Sequence, residues 1–154
     1  MPLRSKVAVN ITIAIVAIID LAAIAALQST LRAQQATSRS VLDGAYTEEQ
    51  AKRGEALYGQ HCVSCHGPTL MGTEMAPPLT GAAFNSNWND QTVNDVFEKI
   101  RGSMPGDDPG KLSRPETAAV LAYILSVDKF PAGKTELESK TELLKQIRFE
   151  PPRP

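Results

Sequence analysis

Both cysteines and both histidines of this chain fall within six consecutive positions, His61-Cys62-Val63-Ser64-Cys65-His66. The rest of the sequence offers little else with chemistry in it. Cys-x-x-Cys-His is the spacing by which a haem is attached covalently to a polypeptide. Each thiol adds across one of two vinyl groups on a single edge of the porphyrin. Cysteines at i and i+3 of a helical turn face one side, so both reach that edge. The histidine next in line then brings an imidazole nitrogen beneath the iron. On this reading Cys62 and Cys65 hold one haem through thioethers and His66 is the first axial ligand.

Other uses of the motif fare worse. A Cys62–Cys65 disulfide would close a very short loop and constrain the unfolded chain little. A zinc ion would have to draw on His61, Cys62, Cys65 and His66, which crowd each other, and no second ligand pair exists. A redox dithiol expects a βαβ context, which the sequence lacks. His61 reads as a surface residue beside the motif.

With 154 residues the chain has room for one ordinary domain and an appendage. Aromatic residues make up only 5%, so an aromatic core is not expected, and a haem would supply the large flat apolar body in its place. A net charge of −1 suggests neither a nucleic-acid partner nor an anionic lipid surface.

Arg4 and Lys6 precede an apolar run over residues 7–27, broken by Asn10, Thr12 and Asp20. Residues 1–33 therefore form a signal peptide or an N-terminal hydrophobic membrane anchor. The run reaches spanning length, but Asp20 would cost about 2.5–3.5 kcal/mol at mid-bilayer. Small residues around Ala23-Ile24-Ala25 offer a peptidase site, and the balance favours cleavage. Either way the body lies outside the cytoplasm, periplasmic or equivalent. Residues 34–45, small and polar, read as a linker or a mature N-terminal arm.

From there the pattern is helical. Thr47 and Gln50 form a capping-box pattern, and Ala51, Gly54, Leu57 and Tyr58 share a face. Gly54 costs such a helix up to about 1 kcal/mol, which suggests another backbone crossing closely. Residues 67–90 read as loop, a length acceptable only if packed around a cofactor. A second helix is expected from Thr92 to Arg101, with Val93, Val96, Phe97 and Ile100 inward and Gly102 ending it. The third opens with Ser113 as N-cap, Pro115 in the first turn and Glu116 completing the box, and ends before Pro131. Residues 134–154 form a charged C-terminal extension with Leu137, Leu143, Leu144, Ile147 and Phe149, read as a short amphipathic helix that caps the domain or touches a partner. No strand is expected, and the body is all-α.

Three methionines compete for the iron's sixth position. Met71 and Met75 follow His66 so closely that reaching the opposite face needs a tight wrap. Met104 lies beyond a full helix, in a loop long enough to pass over the far face, and Pro105 restricts it to extended or turn geometry. His66 and Met104 are thus the expected ligand pair, a set that raises the reduction potential.

Gly54…Tyr58…Cys62-x-x-Cys65-His66-Gly67, the Pro-x-Leu at 77–79, Met104-Pro105 and Val120…Tyr123 together resemble the class I c-type cytochromes, over about residues 46–133. The resemblance implies a cytochrome c-like fold, three main helices and loops around one covalent haem c. It implies that the Gly54/Tyr58 helix crosses the Val120/Tyr123 helix, and that the Pro77 carbonyl accepts the other N–H of His66. It also aligns Phe84 and Trp88 with residues that pack near haem propionates. The implied role is a one-electron carrier between redox protein donors and acceptors, not itself an enzyme. The alternative is an electron-accepting subunit of a dehydrogenase or oxidase complex. A haem enzyme or gas sensor would require Met104 to be labile.

Overall fold

The computed structural model describes residues 39–151; the apolar run at 7–27 and its expected helix lie outside the described residues. The framework is three long helices: α1 (Glu48–His61), α4 (Val93–Ser103) and α5 (Arg114–Val127), with shorter helices α2 (Val63–His66), α3 (Gly81–Trp88) and α6 (Thr141–Leu144). The domain is mostly helical, as expected. Among the described residues no helix is long and apolar enough to cross a membrane.

α5 is the axis of the core. Its buried residues run from Thr117 through Ala118, Ala119, Val120, Leu121 and Ala122 to Ile124 and Leu125, on more than one face, because elements pack on several sides of it. Ser113 and Glu116 close the expected capping box at its start. α1 lies across it at Gly54, where an added Cβ would run into the Ala119 carbonyl. The helix glycine is the condition for this approach. One turn on, the Tyr58 and Tyr123 rings meet with centroids 5.4 Å apart.

The cap of α1 departs from its sequence pattern. Thr47 accepts from the Gln50 backbone N–H at 3.1 Å, but the Gln50 side chain does not reach back. It turns inward and pairs twice with the Leu137 backbone, donating from Nε2 at 2.9 Å and accepting at 2.7 Å. A buried amide satisfied on both sides outweighs one cap contact in solvent.

Residues 67–90 are not loop throughout, since α3 occupies Gly81–Trp88. Asn85, Ser86 and Asn87 are poor helix formers, and the helix rests on two other supports. Asp128, at the end of α5, accepts from the Gly81 N–H at 2.7 Å, and Phe84 and Trp88 pack inward at i, i+4 spacing. α4 likewise runs past Gly102 to Ser103, whose hydroxyl donates to the Lys99 carbonyl at 2.7 Å.

The C-terminal extension is part of the core. Leu137, Leu144, Ile147 and Phe149 are all buried. Two short strands, β1 (Arg39–Ser40) and β2 (Ile147–Arg148), pair in parallel, Arg39 beside Ile147 and Ser40 beside Arg148. No strand was expected, because two residues leave no alternation to read. Residues 39–45 pack into the same body, with Val41 and Ala45 buried. Phe149 lies edge-on to Phe84 and Phe130, with centroids 5.9 and 5.4 Å away. A small aromatic core therefore exists where the composition predicted none: three of the chain's four phenylalanines are gathered at one point.

Candidate functional site

α1 delivers the motif. It ends with Cys62 as its C-cap, and α2 follows at once. Cys62 and Cys65 are thus one helical turn apart, the first buried and the second half-buried. Burial, and next the neighbouring Cys65, pushes the Cys62 thiol up to about 11. A thiol so reluctant to ionise is a poor dithiol nucleophile, which argues against the redox reading of the motif. Among the described residues no group of three or more His, Cys, Asp or Glu side chains could hold a metal ion.

His66 is buried. Its Nδ1 lies 2.9 Å from the Pro77 carbonyl oxygen. A carbonyl only accepts, so Nδ1 carries the proton and Nε2 keeps its lone pair. The ring is therefore oriented and in the tautomer a metal ligand needs. Pro77 reaches it on a loop folded back on the motif: Gly72 N–H donates to His66 O at 3.1 Å, Thr73 N–H to Ala76 O at 2.9 Å and Leu79 N–H to Leu70 O at 2.8 Å. Tyr58 braces the turn after the motif, donating to the Gly67 carbonyl at 2.6 Å. Burial above all, then Cys62 and Tyr123, pushes its phenol up to about 12, so the hydroxyl keeps the proton it donates. Thr73 contributes a hydroxyl bond to the Cys65 carbonyl, a contact with no signal in the sequence.

Met104 caps the C-terminus of α4 in extended conformation (φ −127°, ψ 149°), its N–H donating to Ile100 O at 2.9 Å. Its side chain is half-buried against the apolar cluster that includes Cys62 and Leu70. Met71 and Met75 are 64% and 76% exposed. Of the three methionines weighed, only Met104 joins the cluster to which the motif belongs.

A haem needs two thiols, an oriented imidazole, a soft second ligand and partners for two carboxylates. The chain has candidates for each of the first three, and for the carboxylates it offers Arg101. Its Nε is buried without a hydrogen-bond partner, one turn before Met104, and it forms no ion pair among the described residues. The residues present fit the group. Together they define a class: a helical domain built to hold a covalent haem.

Comparison with known proteins finds a matching family, a relative and a solved structure. Residues 49–124 match the family described as "Cytochrome C oxidase, cbb3-type, subunit III". The chain is 35% identical to "Cytochrome c-551" of Bacillus subtilis (strain 168) over 86 residues, 56% of this chain and 70% of that protein. A solved structure, "Crystal Structure of the Sulfane Dehydrogenase SoxCD from Paracoccus pantotrophus", aligns with 23% identity and a TM-score of 0.46, over 64% of this chain and about half, 52%, of the other. The chain belongs to the class I c-type cytochromes. It carries covalently bound haem c with its iron, and its work is electron transfer.

Proposed function

We propose that this cytochrome carries one electron at a time between redox proteins outside the cytoplasm, with His66 and Met104 as axial ligands and Cys62 and Cys65 as thioether anchors. The bond between His66 Nδ1 and the Pro77 carbonyl carries the reading, because it orients the ring and leaves Nε2 as the nitrogen available to the iron. The bound haem supplies an iron that cycles between Fe(III) and Fe(II). The residues around it do the rest. Pro77 holds the imidazole at fixed orientation and raises its basicity. Tyr58 and the backbone bonds of residues 67–79 keep that loop closed on the motif. Met104, with its thioether, favours the reduced iron. With both axial positions filled by protein, no coordination site is left for a substrate, so the chain accepts and passes electrons without itself catalysing a reaction. Residues 1–33 export it, as a cleaved signal or a retained anchor, and an intact mass of the mature protein reports both the N-terminus and the covalent haem.

The test is Met104→Ala. We expect a high-spin iron that binds exogenous ligands, including carbon monoxide when reduced, and a lowered potential. A spectrum identical to that of the unmodified protein would remove Met104 from the site. Carbon monoxide binding by the unmodified protein would instead favour a sensor or enzyme.

A second reading, an electron-accepting subunit of a larger complex, draws on the matching family, which is described as an oxidase subunit. Leu137, Leu144, Ile147 and Phe149 of the extension are buried within this chain and only Leu143 is exposed, so docking would fall to the N-terminal segment or to the more exposed loop at Met71 and Met75. Sedimentation of a detergent extract separates the two readings: the carrier migrates alone, the subunit with other redox chains.

A further inference from the structure

The segment bearing Met104 is a loop closed at its neck. Glu98 on α4 and Arg114, the first residue of α5, stand on either side of residues 99–113, and their side chains meet at 2.9 Å. The guanidinium also lies over the Phe97 ring, 4.6 Å from its centroid. Alone, such a part-exposed ion pair is a weak fastening. The C-terminal extension completes it. The Ser139 carbonyl accepts from Arg114 Nε at 2.6 Å. The Thr141 hydroxyl accepts from the remaining guanidinium nitrogen at 3.1 Å and lies 3.4 Å from the same Glu98 oxygen, to which it donates when its proton is turned that way. All three nitrogens of Arg114 are therefore used, across α4 and the extension.

The extension is itself anchored on both sides of this point. Leu137 is tied to α1 by the paired bonds with Gln50. Phe149 is tied to the entry of α4, its N–H donating to Gln91 O at 2.8 Å and its carbonyl accepting from Asp90 N–H at 3.2 Å. α4 is thus held by the extension near its start and at Glu98, and Met104 ends that helix.

We infer that residues 134–150 are a strap that sets the Met104 arm, with Arg114 as the positioning residue through which it acts. The inference rests on Met104 being the axial ligand. Its physical content is a population: an exogenous ligand binds only molecules whose arm has swung away, so its apparent affinity follows that fraction. Loosening the neck enlarges the fraction.

The experiment uses the full-length holoprotein. Imidazole is titrated into the ferric form and the reduction potential is measured for the unmodified protein, Arg114→Ala, Arg114→Lys, Thr141→Val and, as calibrator, Met104→Ala. We expect Arg114→Ala to bind imidazole about tenfold more tightly with a lowered potential. Arg114→Lys should fall between, because an ammonium keeps the charge but not the fork. Thr141→Val should shift both readouts in the same direction, and it decides the matter alone if Arg114→Ala yields no folded holoprotein. If Met104→Ala changes both readouts while the Arg114 and Thr141 variants change only thermal stability, the strap does not position the arm. If Met104→Ala itself changes neither, the ligand assignment falls and the strap's proposed role falls with it.

Discussion

Residues 67–79, after the haem motif, and residues 134–150, after the last long helix, are both largely irregular, yet they treat their apolar side chains in opposite ways. The first loop is shaped by its own backbone: Gly72 bonds back to His66, Thr73 to Ala76 and Leu79 to Leu70. It buries Leu70 but leaves Met71 and Met75 mostly in solvent. The second stretch bonds its own backbone within residues 140–146, and it buries Leu137, Leu144, Ile147 and Phe149 while leaving Leu143 exposed. One region therefore holds a carbonyl against His66 through its backbone bonds and the Thr73 hydroxyl, without calling on its exposed methionines. The other is held across the chain, by its buried apolar side chains and by backbone groups that bond Gln50, Arg114, Gln91 and Asp90. These two regions are divided between placing the chemistry and completing the core.

The sharpest way to break this contrast is Phe149→Ala. The ring is fully buried between Phe84 and Phe130, and its removal leaves a cavity where three elements meet. We expect a loss of about 3–5 kcal/mol, typical of buried phenylalanine. Against a whole-domain stability of about 5–15 kcal/mol, that should move the urea midpoint far toward zero. A loss under about 1 kcal/mol, within the range of ordinary surface changes, would mean that the extension merely lies on the domain.

A smaller effect is expected at the neck between the two regions, where Ser113 starts α5. Its hydroxyl and its backbone N–H bond the Glu116 carboxylate at 2.6 and 2.8 Å. The Ser113 side chain first, and then its backbone, hold that carboxyl below the usual carboxylate range. A carboxyl lowered on folding stabilises the native state above its unfolded pKa and loses that contribution as pH falls through the folded value. Ser113→Ala should cost about 1 kcal/mol at neutral pH. Glu116→Gln should flatten the acid limb of a pH–stability profile measured by denaturation. Glu116 is largely exposed, so the flattening is slight. An unchanged acid limb would show the box to be geometrically closed but energetically idle.

The two regions also differ in how much of them could be read before folding. The candidate site could be proposed from the sequence because covalent attachment imposes a fixed spacing on Cys62, Cys65 and His66, and because Met104 stands a helix away in front of a proline. The long helices were legible from Ser113, Thr92 and Thr47 and from apolar periods of three and four. The extension was legible only in part: Leu137, Leu144 and Ile147 keep a helical spacing, yet the helix covers only Thr141–Leu144, because each apolar side chain is placed by a different neighbour. Long-range contacts of that kind, such as Gln50 with Leu137 or Gly81 with Asp128, leave no local pattern. α3 escaped for the same reason: its support comes from Asp128 and Phe149, far along the chain, while its own Asn85-Ser86-Asn87 argues for a turn.

The smallest expected effect is the most demanding test of the contrast. Replacing Met71 and Met75 together by serine removes two large thioether side chains from the loop that holds Pro77 against His66. If the backbone bonds and the Thr73 hydroxyl alone shape that loop, stability should change by no more than about 0.5 kcal/mol, the range for surface substitutions. The absorption spectrum of the holoprotein should not move. Both side chains are more exposed than any large apolar one in the extension, where Leu143 reaches 37%, and their polar contact with the body is weak, Thr80 Oγ1 to Met71 Sδ at 3.7 Å. A larger loss, or a changed haem spectrum, would mean that these methionines help set the Pro77 carbonyl. The loop would then depend on its side chains as the extension does, and the division between the two regions would disappear.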